Sequence, residues 1–332
     1  MAPTAVAARV VAMVAMVGVC AVGLGVVLQR ELDPATTLRR DLDSSDEVVR
    51  WEAARELGDF DSPRGLEALL IAARDPATSV RAVAPASLGT MLQQRLIQNA
   101  PAEDSQRLLS ALESLLKDRS AEVRSAAALA ASTSLASTVD RLEGKLLRDP
   151  GLNARASVIL GASPTFARAV DRLERIGSDR RFARLDLRPL VSALGNGLLA
   201  EEPIVCRARL FALEQIGQRF PVDPPPELAK ALQVASIETR VAAIQTAAKF
   251  QQGVDGIVPL LFRSLEDPEL FARTQATSAL GEIRPDAGVI PYLEGLMTSS
   301  DSETSLLAAA IFPRIGSGGG AAVPVLIELL KS

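Results

Sequence analysis

The sequence predicts an all-α chain: one N-terminal transmembrane helix followed by an α-solenoid of about eight helical hairpins. Three observations carry that expectation. An apolar run of 19 uncharged residues lies near the start. A pattern of Asp, Arg, small residues and a Leu-Gly pair then recurs, most often at spacings of 31 to 33 residues. No stretch alternates apolar and polar residues with β-branched bias, as a half-buried strand would. Composition agrees, since 48% of the 332 residues are hydrophobic but only 3% aromatic. A core knit from Ala, Leu and Val suits closely packed helices.

Residues 1–9 form a short tail, and residues 10–28 carry no charged side chain. As a helix, such a run spans roughly 28 Å, about one bilayer core. A cleaved signal peptide has a shorter apolar region that ends in a small-x-small site. The nearest such pair here is Gly23 and Gly25, and Val17-Gly18-Val19 before Cys20 fits a lipoprotein site poorly. The run is therefore expected to be an uncleaved anchor of a single-pass membrane protein. Arg9 on one side and Arg30, Arg39 and Arg40 on the other leave the side of the solenoid open. Residues 29–34 are a linker.

Residues 35–331 carry the repeats. The fullest copies are Asp75-Pro76 with Arg81 and Leu88-Gly89, and Asp267-Pro268 with Arg273 and Leu280-Gly281. Partial copies are Arg50 with Leu57-Gly58, Asp118 with Arg124, and Asp149-Pro150 with Arg155; Arg207 and Arg240 continue the register. Successive Arg lie 31, 43, 31, 52, 33 and 33 residues apart, and Leu307 stands where an eighth would fall. The two long gaps imply insertions near 93–103 and 163–188.

Each unit reads as helix, tight turn, helix. Asp is a good N-cap and Pro is tolerated in the first turn, so Asp-Pro starts the Arg-bearing helix. The Gly eight residues after the Arg is expected to supply the left-handed turn that ends it. An amphipathic segment precedes each Asp, at 65–74, 106–117, 139–148, 256–266 and 289–297. Residues 321–331 form a lone final helix that caps the array. One hairpin cannot bury its own apolar face, so the copies must stack.

The string Asp75-Pro76 to Leu88-Gly89, with Val80, Arg81 and Ala84 between, resembles the HEAT and HEAT-like (phycobilisome-lyase type) repeats, as does the final segment from Val323-Pro324 to Leu329-Leu330. The resemblance covers residues 34–331. It implies a structural ladder in which repeated Asp and Arg tie adjacent units together. Its members would be Arg50, Asp75, Arg81, Asp118, Arg124, Asp149, Arg155, Arg207, Arg240, Asp267 and Arg273.

Composition excludes several chemistries. The chain has no histidine, which removes His-paired nucleophiles, His general bases and His-ligated metals. Cys20 and Cys206 are too far apart in sequence and context to suggest a disulfide framework. Gly318-Gly319-Gly320 lacks the Lys-Ser/Thr of a phosphate loop. No catalytic, cofactor-binding or metal residue is expected, and the chain is not read as an enzyme.

One local anomaly is the set Arg168, Arg172, Arg175, Arg180, Arg181, Arg184 and Arg188, interleaved with Asp171, Glu174, Asp179 and Asp186. It is either a patch for an acidic partner or a solvated helix face with intrahelical pairs such as Asp171 with Arg175. Trp51 and Tyr292, the sole indole and phenol, are open to packing or binding roles.

These features point to a membrane-tethered scaffold for an unidentified protein partner. Two alternatives stand beside it: a chromophore-lyase-like enzyme, suggested by the repeat subtype, and a nucleic-acid-binding repeat protein. The net charge of −4 and the scarcity of aromatics oppose nucleic acid. The oligomeric state is not specified by the sequence.

Overall fold

The computed structural model describes residues 34–146, 182, 184–199, 202–234, 236–250, 256–283, 289–297, 301–312 and 327. They form an all-helical repeat solenoid. The helices in chain order are α1 (Pro34–Asp41), α2 (Glu47–Glu56), α3 (Pro63–Ala72), α4 (Thr78–Gln98), α5 (Ala102–Leu115), α6 (Ala121–Leu146) and α7 (Arg188–Gly195). After these come α8 (Pro203–Arg219), α9 (Pro226–Ala231), α10 (Ile237–Ala247), α11 (Val258–Arg263), α12 (Leu270–Ile283), α13 (Ile290–Met297) and α14 (Ser302–Ile311). Odd numbers are the first helices of the hairpins and even numbers the second.

Local chemistry starts these helices where the chain needs them. The Asp46 carboxylate accepts from Val48 N, and Ser62 Oγ accepts from Gly65 N. Ser236 and Asp301 cap α10 and α14 in the same way. Proline occupies the first turn of α3, α7, α8, α9 and α11, where its missing N–H leaves no helical bond unmade.

The chain divides into two compact units, Met1–Ser87 and Leu88–Ser332. In the first, α1 packs on α2 and α3, and Leu57, Leu66 and Leu69 form a core closed to solvent. In the second, the second helices α6, α8, α10, α12 and α14 lie side by side in that order. Each first helix from α5 to α13 packs on its following partner.

The hairpins on either side of residues 147–181 are direct neighbours: α5 packs on α7 and α6 on α8. Gln106 and Asp186 exchange two hydrogen bonds at 3.1 and 3.3 Å. Arg219 pairs with Asp140 at 3.2 Å across 79 residues of chain. Asp149 and Arg155, expected to make a repeat of their own here, lie outside the described residues.

Several expectations are corrected. Among the described residues no helix is long and apolar enough to cross a membrane, so the assignment as a single-pass membrane protein is withdrawn. The apolar run at 10–28 that suggested it lies outside the described residues. The Leu-Gly pair does not end the Arg-bearing helix by a left-handed turn. Gly89 sits inside α4, and Gly58 lies in a short 3-10 turn after α2. The positive φ values among the described residues belong to Asn99 and Gly197.

These glycines serve close approach instead. A Cβ on Gly58 would come within 2.8 Å of Ser87 Cα, and one on Gly89 within 3.2 Å of the Ala130 carbonyl oxygen. The supposed insertion at 93–103 is largely helix, because α4 runs on to Gln98. Its added turns bury Leu92 and Leu96, and Asn99 with φ 57° ends them. Residues 139–146 likewise continue α6 and do not begin a new first helix. The capping segment at 321–331 is outside the described residues apart from Ile327.

Candidate functional site

Five of the repeat arginines occupy one position. Arg50, Arg81, Arg124, Arg240 and Arg273 are each the fourth residue of a second helix. Each donates from Nη1 to the carbonyl oxygen six residues earlier, those of Ser44, Asp75, Asp118, Val234 and Asp267, at 2.8 to 3.0 Å. The guanidinium thus satisfies backbone acceptors in the turn that enters its own helix.

Some of these arginines also reach the next hairpin. Arg50 donates to both carboxylate oxygens of Asp75 at 2.8 and 3.2 Å, and Arg240 to both of Asp267 at 2.7 and 2.9 Å. Both pairs are largely withdrawn from solvent. Asp75 and Asp267 in turn accept from the backbone N–H two residues on, at Ala77 and Glu269. Burial pushes Asp267 up, but the Arg240 bonds and the Glu269 amide outweigh it and hold the carboxyl below its usual range. Arg273 ends the described series on Glu303 at 2.6 Å, a partner whose side chain is 55% exposed. Asp118 orders its own turn through Ser120 N.

Arg207 does not hold the repeat position. It is exposed, whereas Arg209, two residues on, is 2% exposed. Arg209 Nη1 donates to the carbonyls of Ala193 and Asn196 at the end of α7, and Nη2 to that of Leu116 at the end of α5. One buried cation therefore serves the carbonyl ends of two first helices, where the helix dipole also favours positive charge. The sequence held a signal for it: Ile216-Gly217 stands seven and eight residues after Arg209, the spacing of Leu57-Gly58 after Arg50.

Of the Arg-rich set, Arg184 and Arg188 are among the described residues; Arg168, Arg172, Arg175, Arg180 and Arg181 lie outside them. Arg188 is exposed and pairs with Asp186 at 2.8 Å, a bond that lowers the Asp186 pKa. Cys206 is buried as a small core residue. Tyr292 packs edge-on against Phe262, ring centroids 5.2 Å apart.

Exposed large apolar side chains concentrate on the second helices. In the first unit they are Val48 and Trp51 on α2, with the Arg55 guanidinium 5.7 Å from the Trp51 ring centroid. In the second unit they are Leu129, Ile204, Phe211, Leu270, Phe271 and Leu306, on α6, α8, α12 and α14. The described first helices contribute Ile71 and Tyr292.

Between these apolar side chains, α8, α10 and α12 form a polar groove of about 280 Å³. Glu214 stands on the α8 side, Gln245 and Lys249 on α10, and Gln275, Ser278 and Glu282 on α12. The small side chains of Ala248 and Ala279 leave the space open. Gln245 donates to Gln275 at 3.0 Å and Lys249 to Glu282 at 2.7 Å. The described residues hold no group of His, Cys, Asp and Glu suited to a metal ion.

A family model described as HEAT repeats matches residues 21–89, 35–132 and 225–312. Among solved structures, the chain is similar to YibA of E. coli at 15% identity and a TM-score of 0.40, over 93% of this chain and 97% of that one. It is also similar to a computationally designed armadillo repeat protein for modular peptide recognition, at 18% identity and a TM-score of 0.36, over 84% and 99% of the two chains. A third likeness is to the CpcE–CpcF complex of phycocyanin lyase from Nostoc sp., at 17% identity and a TM-score of 0.33, over 89% and 94%. No curated protein matches the chain.

Proposed function

Because the chain belongs to the HEAT-repeat family, we propose that it is a non-catalytic scaffold that binds a protein or peptide partner on the outer face of its second helices. The observation that carries this reading is the distribution of exposed apolar side chains. In the second unit, Phe211, Phe271, Ile204, Leu270 and Leu306 are left in water on second helices. Single exposed apolar residues are ordinary, but their grouping around a groove marks an interaction surface. The same reading gives the Arg–Asp ladder a structural role, holding successive second helices in the lateral register that builds the groove.

The test is site-specific photo-crosslinking in cells of the source organism. A photoreactive residue at Ser278 or Phe271 is expected to capture a discrete partner. One at Arg263 or Glu294, exposed on first helices α11 and α13, is expected to capture none. Equal capture from both faces would sink the assignment of the surface.

A further inference from the structure

Resting on that reading of the surface, we infer that the groove between α8, α10 and α12 accepts a lysine or arginine side chain of an extended partner peptide, with Glu214 as its counter-ion.

The charges lining the groove decide the sign. Lys249 is already committed to Glu282 at 2.7 Å. Glu214 is half-buried and makes neither a hydrogen bond nor an ion pair among the described residues. A partner that covers the groove removes water from this carboxylate. An apolar side chain would leave it desolvated without compensation, and an acidic one would add repulsion from both Glu214 and Glu282. A cationic side chain alone supplies a partner.

The neighbours of Glu214 fit the rest of such a residue. Phe211 lies three positions earlier on α8, hence on the same face, and its ring is exposed. It can pack against the aliphatic stem of a Lys or Arg and attract its charge. Across the groove, Gln245 and Gln275 spend one amide hydrogen on each other. Their remaining amide hydrogens and the Gln245 carbonyl are available to peptide main-chain groups. The repeat spacing of these helices places acceptor, donors and ring along one line, which favours an extended segment over a compact partner.

The experiment uses the full chain and two short fluorescein-labelled peptides, one of alternating alanine and lysine, the other of alternating alanine and glutamate. Fluorescence anisotropy is read at about 0.15 M salt, where attraction beyond roughly 8 Å is screened. The lysine peptide is expected to bind saturably and the glutamate peptide not at all. Glu214→Gln is expected to weaken the lysine peptide about fivefold to tenfold, and Ser278→Lys to abolish its binding. Glu294→Gln on α13, away from the groove, is expected to leave it unchanged.

Equal losses from Glu214→Gln and Glu294→Gln would mean that only the general acidity of the chain attracts the peptide, and the inference would be overturned. Binding of the glutamate peptide as tightly as the lysine peptide would overturn it as well. Crosslinking at Ser278 separates the two claims. If it persists while charge selectivity is missing, the basic-residue assignment falls and the surface stands; if it is absent too, both fall.

Discussion

Arg209 Nη2 donates to the carbonyl oxygen of Leu116 at 2.6 Å, across 93 residues of chain. The bond joins the hairpins that flank residues 147–181, and it makes Arg209 the member of the repeat register that Arg207 was expected to be.

A pair of substitutions separates these two arginines. Arg209→Ala removes a buried cation and leaves the carbonyls of Leu116, Ala193 and Asn196 without their donor, so it is expected to cost about 3 kcal/mol or more. Arg207→Ala, at an exposed site, is expected to change stability by less than about 0.5 kcal/mol. Urea unfolding followed by circular dichroism measures both, and similar costs for the two would refute the register.

Ladder positions are expected to grade by the burial of the carboxylate they meet. Arg240→Ala strands Asp267 in a largely buried site and is expected to cost about 3 kcal/mol. Arg273→Ala loses backbone bonds and a half-exposed Glu303, and about 1 to 2 kcal/mol is expected. A larger loss at Arg273 would contradict this ordering.

Acid provides an independent check on the same pair. The Asp267 carboxyl is held below its usual range in the fold, so it contributes stability that is present above its unfolded value of about 4. That contribution is lost as pH falls through the folded pKa. Asp267→Asn is therefore expected to be less stable than wild type at pH 7, and to show a shallower decline below about pH 4. An acid limb of unchanged slope would exclude a role for this carboxylate.

Glycine substitutions should differ in sign. Gly58→Ala drives a methyl group to 2.8 Å from the Ser87 backbone and is expected to destabilise by about 1 to 3 kcal/mol. Gly295→Ala in α13 meets nothing within 4 Å, so a gain of about 0.5 to 1 kcal/mol is expected from helix propensity and a less flexible unfolded chain. Thermal melts of the two variants moving in the same direction would show that close helix approach does not set the cost at Gly58.

The helical repeat was legible because charge recurs at a fixed interval. Arg50, Arg81, Arg124, Arg240 and Arg273 stand out against an Ala- and Leu-rich background, and Asp75 and Asp267 mark the turns before their helices. Helix ends were harder to place. A glycine at a repeat position reads as a chain terminator or as a contact point with equal ease, and the difference lies in the neighbouring helix. Gly89 faces Ala130, 41 residues later in the chain, so α4 was cut short in the sequence reading.

Arg207 was chosen over Arg209 for a related reason. Counting from Arg240 fits 33 residues, and only the Ile216-Gly217 pair resolves the ambiguity. The groove was not visible at all. Glu214, Gln245 and Ser278 are unremarkable polar residues until the lateral register of three helices brings them together.

The direct packing of the hairpins around residues 147–181 also bears on how the chain folds. Most neighbouring second helices here are joined by about one repeat of intervening sequence, and their pairing closes a short loop. Docking α8 on α6 closes a loop roughly threefold longer, which adds about 1 kcal/mol of entropy cost before any contact forms. The stack from α8 to α14 and the α5–α6 hairpin can therefore each assemble locally, and their union is the slow, long-range step. Arg209 belongs to that late junction, so its removal should accelerate unfolding far more than it slows refolding.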